Sequence, residues 1–292
     1  MSILDLIGGT PLVELPAFAP RPRVRLFAKL EGQNPGGSVK DRAALGMLKG
    51  ALERGELRAG DRVVEATSGN TGIALAMIAP QLELHLTLLM PDDATAERVR
   101  TMRAYGAEVR LTPAARTIEY AREVADRLVA EECYATLNQF ANPDNWRAHE
   151  RTTGPEIWEA TEGRVTHFVS AMGTTGTIMG VSRALKARDP AVTIVGTQPT
   201  EGSSIPGIRR WSPAFVPAIF ERARVDRVID VSAAAAREGA RRLAREAGVF
   251  AGMSSGGALT AALEVARDLH EGTVVFIACD RGDRYVSSDL FA

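Results

Sequence analysis

One lysine in this sequence stands where a structural helix would not place it. Lys40 closes the stretch Asn34-Pro35-Gly36-Gly37-Ser38-Val39 and is followed by a helical run from Asp41 to Leu52. In the first turn of a helix the macrodipole is positive, so a cation is disfavoured there and a carboxylate preferred. An amine in that position is expected to be neutral, or bonded to something, and a neutral amine can act as a nucleophile or a base. Taken alone, the nonapeptide Asn34–Arg42 favours an ordinary exposed lysine beside an Asp-Arg pair.

Three glycine-rich stretches give the lysine a context. Thr67-Ser68-Gly69-Asn70-Thr71-Gly72 and Gly173-Thr174-Thr175-Gly176-Thr177 each read as a loop between a buried strand and a helix, where successive backbone N–H groups form a nest for an anion. The second adds three hydroxyls, which suits a phosphate monoester. Neither carries the Gly-Lys-Ser/Thr of a nucleotide P-loop, and Gly173, Gly176 and Gly180 lack the dinucleotide spacing. The third stretch, Gly252-Met253-Ser254-Ser255-Gly256-Gly257, reads as another loop opening a helix. Three such loops and one lysine suggest a phosphorylated cofactor held by an amine.

The elements that would position these residues alternate strand and helix along most of the chain. Strands are expected near Arg25–Leu30 (alternating, hence half-buried), Arg62–Ala66, Leu84–Met90, Glu108–Leu111, Thr166–Met172, Thr193–Thr197, Asp226–Val231 and Thr273–Cys279. Helices are expected over Ile73–Ala79, Thr95–Tyr105, Thr117–Glu132, His149–Thr161, Ile178–Ala187, Ala233–Glu246 and Gly257–Leu269. This pattern is α/β with parallel sheets. A boundary is expected near Asn142–Arg147, where one βα series ends and another begins.

Composition narrows the class of function. The 292 residues carry 35 Lys+Arg and 36 Asp+Glu, a net charge of −1 with no basic block, so nucleic acid is not an expected partner. Two cysteines, Cys133 and Cys279, fit a reducing cytoplasm rather than a disulfide framework. The first residues lack the basic-then-apolar design of a signal peptide, and no apolar run has the length of a membrane span. His85, His149, His167 and His270 lack ligand spacing, so no metal site is expected.

The motifs Asn34–Arg42, Glu65–Gly72, Met102-Arg103-Ala104-Tyr105-Gly106-Ala107-Glu108 and Gly173–Thr177 together resemble the cysteine synthases of the fold-type II pyridoxal-phosphate enzymes, over nearly the whole chain. Glu201–Trp211 and Cys279–Tyr285 look like the B isozyme rather than the A isozyme. The resemblance implies two three-layer αβα domains with largely parallel sheets. A smaller substrate-binding domain would span 35–146, and 1–34 with 147–292 would hold the cofactor phosphate. It implies that Lys40 forms the Schiff base with pyridoxal 5'-phosphate and acts as general base. Asn70 would lie beside the phenolic oxygen, Gly173, Thr174, Thr175, Gly176 and Thr177 would cup the phosphate, and Ser254 would meet the pyridine nitrogen. Thr67, Ser68, Thr71 and Gln139 would hold the substrate carboxylate.

The implied reaction is β-replacement on O-acetyl-L-serine by sulfide, through an α-aminoacrylate, in a cytoplasmic homodimer. B-type relatives are similar in also taking thiosulfate to S-sulfocysteine. Arg210, and after it Arg209, are the candidates for that dianion, and Cys279 either lines the second-substrate site or is a small core residue. Cys133 is read as structural, Asp41 and Arg42 as fixing the helix start, and Trp146, Trp158 and Trp211 as packing. Gly9 departs from the family's Gly-Asn-Thr-Pro pattern, and the chain ends soon after Tyr285, which leaves any tail-dependent lid or dimer contact open. Rival readings are a relative using O-phosphoserine or serine (a cystathionine β-synthase or a serine/threonine dehydratase), a threonine synthase with the same lysine chemistry, and a non-catalytic regulatory relative.

Overall fold

The computed structural model describes residues 1–292 except Ser68, with the backbone alone described at Thr117. In chain order the strands and α-helices begin with β1 (Leu12–Glu14), β2 (Val24–Leu30), α1 (Lys40–Glu53), β3 (Arg62–Ala66), α2 (Asn70–Ile78), β4 (His85–Pro91), α3 (Ala96–Ala104), β5 (Glu108–Thr112) and α4 (Thr117–Glu131). They continue with α5 (Pro143–Arg151), α6 (Thr153–Ala160), β6 (His167–Ala171), α7 (Gly176–Lys186), β7 (Thr193–Pro199), β8 (Arg227–Val231), α8 (Ala233–Ala247), α9 (Met253–Asp268) and β9 (Gly272–Ala278). The chain divides into two compact units, Met1–Asp5 with Lys40–Asn145, and Leu6–Val39 with Trp146–Ala292.

In the larger unit the sheet runs β1-β2-β9-β6-β7-β8, with β1 antiparallel to β2 and every other neighbour pair parallel. Residue parity along each strand assigns its side chains to one of two cores. Leu26 and Ala28, Val169, Val195, and Val274 and Phe276 pack with α8 and α9. Phe27, Phe168, Ile194, and Val275 and Ile277 pack with Ile157 of α6 and Ile178 and Val181 of α7. Both faces of the sheet are therefore covered, as parallel sheets require. Each of the larger ones (Leu, Ile, Val, Phe) contributes about 1.5–3 kcal/mol by leaving water.

Strand β2 departs from the half-buried expectation. Its alternating Arg25 and Lys29 suggested one wet face, yet Lys29 is 1% exposed. Its ammonium meets Glu156 at 2.6 Å and donates to the Thr10 carbonyl, so the charge is paired rather than solvated. The stretch read as a third loop is helical from Met253 onward. A Cβ on Gly256 would lie 2.0 Å from the Ala236 carbonyl oxygen, and one on Gly239 would lie 2.3 Å from the Gly256 carbonyl oxygen. These glycines let α8 and α9 touch backbone to backbone; they are not there to form a turn. The single helix expected over His149–Thr161 is two, interrupted at Thr152.

In the smaller unit β3, β4 and β5 form a parallel sheet, and Ala135 adds to its edge by bonding to Val64 N–H and the Arg62 carbonyl, both at 2.8 Å. The spacing Ile118, Ala121, Ala125, Leu128 gives α4 an apolar stripe that packs on Val64, Ala66 and Leu89. Leu88 and Met90, of the opposite parity, are also buried, with α2 and α3 along that part of the sheet. Among the described residues, no helix is long and apolar enough to cross a membrane.

Candidate active site

The smaller unit holds the lysine and the loop read above as an anion nest. Lys40 is the first residue of α1 and Asn70 the first of α2, and the two helices pack on each other. The N-cap of α2 is Gly69, in extended backbone (φ −117°, ψ −157°) and with no side chain to cap the first turn. Gly69 itself offers no side-chain acceptor to the amides of the first turn, as an anion nest requires. Thr67, Thr71 and Gln139 are all buried, and the Thr71 hydroxyl donates to Gln139 Oε1 at 2.8 Å. Gln139 is fixed from behind by Asn145, whose Nδ2 donates to its carbonyl at 2.7 Å. Ser68, expected in this nest, lies outside the described residues.

The larger unit, by itself, holds the hydroxyl loop Gly173–Thr177. β6 delivers Gly173–Thr177 to the start of α7. Thr175, the N-cap, has left-handed backbone (φ 71°), a conformation that costs a non-glycine residue about 1–2 kcal/mol. Its hydroxyl is buried and has no hydrogen-bond partner among the described residues. A buried unpaired hydroxyl on a strained helix cap fits a phosphate oxygen, which would satisfy it. The Thr177 hydroxyl lies 3.3 Å from His149 Nε2, while His149 Nδ1 sits 2.8 Å from the Thr153 hydroxyl. His149, dismissed above for lack of ligand spacing, thus backs the cup; only the fold brings α5 beneath α7.

The Glu201–Trp211 segment closes on the same cup. The Arg209 N–H donates to the Met172 carbonyl at 2.8 Å, and the Trp211 indole N–H to the Gly173 carbonyl at 3.0 Å. Trp211 was read as packing; it is a tether. A Cβ on Gly173 would stand 2.7 Å from the Gly207 carbonyl oxygen, and one on Gly207 (φ 85°) would stand 3.4 Å from Ser254 Cβ. Gly207 therefore sits against both Gly173 and Ser254, the second residue of α9. Cys279 is buried in the core, and its N–H donates to the Ser255 hydroxyl at 2.8 Å. Cys133 is exposed. Arg210 turns away to an ion pair with Asp230 and to the Pro199 carbonyl at 2.8 Å.

A parallel α/β fold with a lysine heading one helix and a strained hydroxyl cup heading another suits one class, the enzymes that work with pyridoxal phosphate. Residues 3–280 match the family described as pyridoxal-phosphate dependent enzyme. The chain is 54% identical to cysteine synthase B of Pseudomonas aeruginosa over 99% of its length and 97% of that relative. It is 53% identical to cysteine synthase B of Escherichia coli, over 100% of this chain and 96% of the relative. The crystal structure of cysteine synthase from Entamoeba histolytica superposes with a TM-score of 0.93 at 37% identity, covering 99% of this chain and 90% of the other. The chain belongs to the cysteine synthase family of pyridoxal-phosphate-dependent enzymes.

Proposed function

We propose that this enzyme makes L-cysteine from O-acetyl-L-serine and sulfide, takes thiosulfate as a second sulfur donor to give S-sulfocysteine, and works as a cytoplasmic homodimer. The observation that carries the reading is the buried Thr67–Thr71–Gln139 group at the head of α2, in the same unit as Lys40. It offers hydroxyl and amide groups suited to an amino-acid carboxylate, in the unit that also carries a lysine whose helix position disfavours the ammonium form. Full-length identity to cysteine synthase B relatives supports sulfur as the incoming atom.

Gly173–Thr177 would hold the cofactor phosphate, Ser254 the ring nitrogen and Asn70 the phenolic oxygen. Pyridoxal phosphate, when bound, supplies an electron sink for the charge that develops at the substrate α-carbon. Thr67, Thr71 and Gln139, with Ser68, would bind the substrate carboxylate and so orient the α-hydrogen. Lys40 takes that proton as its neutral amine. The Cβ–O bond breaks and acetate departs; a Cβ–S bond forms with the sulfur nucleophile, and Lys40 returns the proton to Cα. Ser254, a neutral hydroxyl, does not force the ring nitrogen to stay protonated as a carboxylate would, which favours elimination over transamination.

In this geometry Arg210 can meet a dianion only by sharing its guanidinium with Asp230. Arg209, exposed and anchored through its backbone to Met172, is the more available of the two. Arg209→Ala and Arg210→Ala should each lower thiosulfate turnover more than sulfide turnover, Arg209→Ala more strongly; equal losses would reject the assignment.

The main test is cysteine formation by purified enzyme loaded with pyridoxal phosphate. O-acetylserine with sulfide should be the productive pair, with O-phosphoserine and serine poor substitutes. Lys40→Ala should fold but lose at least about a thousandfold in turnover, the size expected when a proton-transferring group is removed. A fully active Lys40→Ala enzyme, or a preference for serine, ends the reading. Light scattering of the loaded enzyme tests the dimer.

A further inference from the structure

One buried carboxylate takes no part in these steps. Glu65 lies in β3, two residues before Thr67, and is 5% exposed. The backbone N–H groups of Leu137 and Asn138 face it, and at 3.4 Å it accepts the hydroxyl of Thr136. Those residues directly follow Ala135, which extends the sheet beside β3, so the carboxylate caps the end of that added strand.

The capped segment turns sharply into a site residue. Asn138 is left-handed (φ 47°), and its carbonyl takes the amides of Ala141 and Asn142, each at 2.9 Å. Asn142 Nδ2 returns to the Leu137 carbonyl at 2.9 Å. The next residue is Gln139, whose Oε1 receives the Thr71 hydroxyl. An ionised carboxylate can accept two converging N–H groups with both oxygens, whereas a carboxamide has one acceptor oxygen and would point N–H against N–H. Burying a carboxylate is costly unless it is bonded in this way.

We propose that Glu65 is a positioning residue for amino-acid recognition: its carboxylate holds the Leu137 and Asn138 amides, fixes the Asn138 turn, and thereby aims Gln139 at the substrate carboxylate. The proposal rests on the reading of Thr71 and Gln139 as carboxylate ligands. It also has a pH signature. Burial pushes the Glu65 carboxyl up to about 7, opposed by the two amides, by the Thr136 hydroxyl and by the charge of Arg122 on α4. Arg122 is the charged group that faces it, and its guanidinium also lies over the Phe140 ring at 4.6 Å. Protonation below that range removes an acceptor from the turn, so substrate affinity should fall as the pH drops.

The test uses pyridoxal-phosphate-loaded wild type, Glu65→Gln and Thr71→Val, with KM for O-acetylserine and kcat measured from about pH 6 to about pH 8.5. Glu65→Gln should raise KM about tenfold at the upper end, the scale of one buried polar group left unpaired, with kcat within about threefold of wild type. Wild-type KM should rise towards acid more steeply than that of Glu65→Gln, whose substrate has the same ionisations. If Thr71→Val raises KM and Glu65→Gln does not, or if the two pH profiles coincide, the proposal is overturned. If Thr71→Val leaves KM unchanged, it is the carboxylate-site reading that fails. Should Glu65→Gln not fold, a wild-type KM that stays flat across the range, once corrected for the ionisation of the substrate, overturns the proposal by itself.

Discussion

The β3–α2 and β6–α7 joints share a sequence logic of strand, small-residue loop and helix, yet they are built in opposite states. At β3–α2 the cap is Gly69 in relaxed extended backbone, and the Thr71 hydroxyl is already engaged by Gln139 at 2.8 Å. At β6–α7 the cap is Thr175 in left-handed backbone, its hydroxyl buried and unpaired among the described residues. At the first joint the Thr71 hydroxyl is engaged before any ligand arrives. That suits a substrate that enters and leaves in every cycle, because little has to be reorganised at each turnover. The second joint holds strain and an unmet hydrogen bond that a resident phosphate would relieve.

The largest contrast is expected from the same change at the two joints. Gly173→Ala drives a Cβ into the Gly207 carbonyl at 2.7 Å, a backbone neighbour with no rotamer to yield. Overpacking of this kind costs about 1–3 kcal/mol, so pyridoxal phosphate should bind about 10- to 100-fold more weakly in an absorbance titration. A Cβ on Gly69 meets nothing within 4 Å, so Gly69→Ala should change stability and cofactor binding by less than about 0.5 kcal/mol. If both variants behave alike, the contrast between the joints is wrong.

Thr71→Val comes next. It strands a buried Gln139 oxygen, so KM for the amino acid should rise about tenfold and stability should fall by about 1–3 kcal/mol with or without the cofactor. The smallest effect is the most diagnostic. Thr175→Gly removes left-handed strain worth about 1–2 kcal/mol, offset by up to about 1 kcal/mol of added freedom in the unfolded chain. The cofactor-free protein should therefore melt at the same or slightly higher temperature, while the loaded protein loses several degrees. Destabilisation of both forms would show that the Thr175 hydroxyl has a structural partner instead.

Much of the architecture is legible in the sequence, because strands β3, β6, β7 and β9 are apolar runs followed by turn residues, and the amphipathic stripe of α4 is regular. What escapes is what depends on neighbours distant in sequence. Lys29 reads as polar and exposed because Glu156, its partner, is far along the chain. Ser254–Gly257 reads as a loop because glycine is a poor helix former, whereas close contact with α8 requires it. The cup itself is legible, but its strain is not. Gly176 is the natural candidate for a left-handed residue in that loop, and the structure gives the conformation to Thr175. Glu65 stands in plain view within its motif, yet its bonds run to residues some seventy positions on, so only the fold reveals what it holds.

The contact of α8 with α9 through Gly239 and Gly256 has a mechanical consequence. Side-chain interfaces are compliant, since a rotamer change can absorb small displacements. Here the two helices rest main chain on main chain, and Ser254 lies two residues from the contact point. The seating of that hydroxyl is thus referenced to the scaffold like a machined shoulder, with almost no travel in it. Core substitutions elsewhere in the larger unit should leave it in place, whereas a single methyl group at Gly256 should displace it.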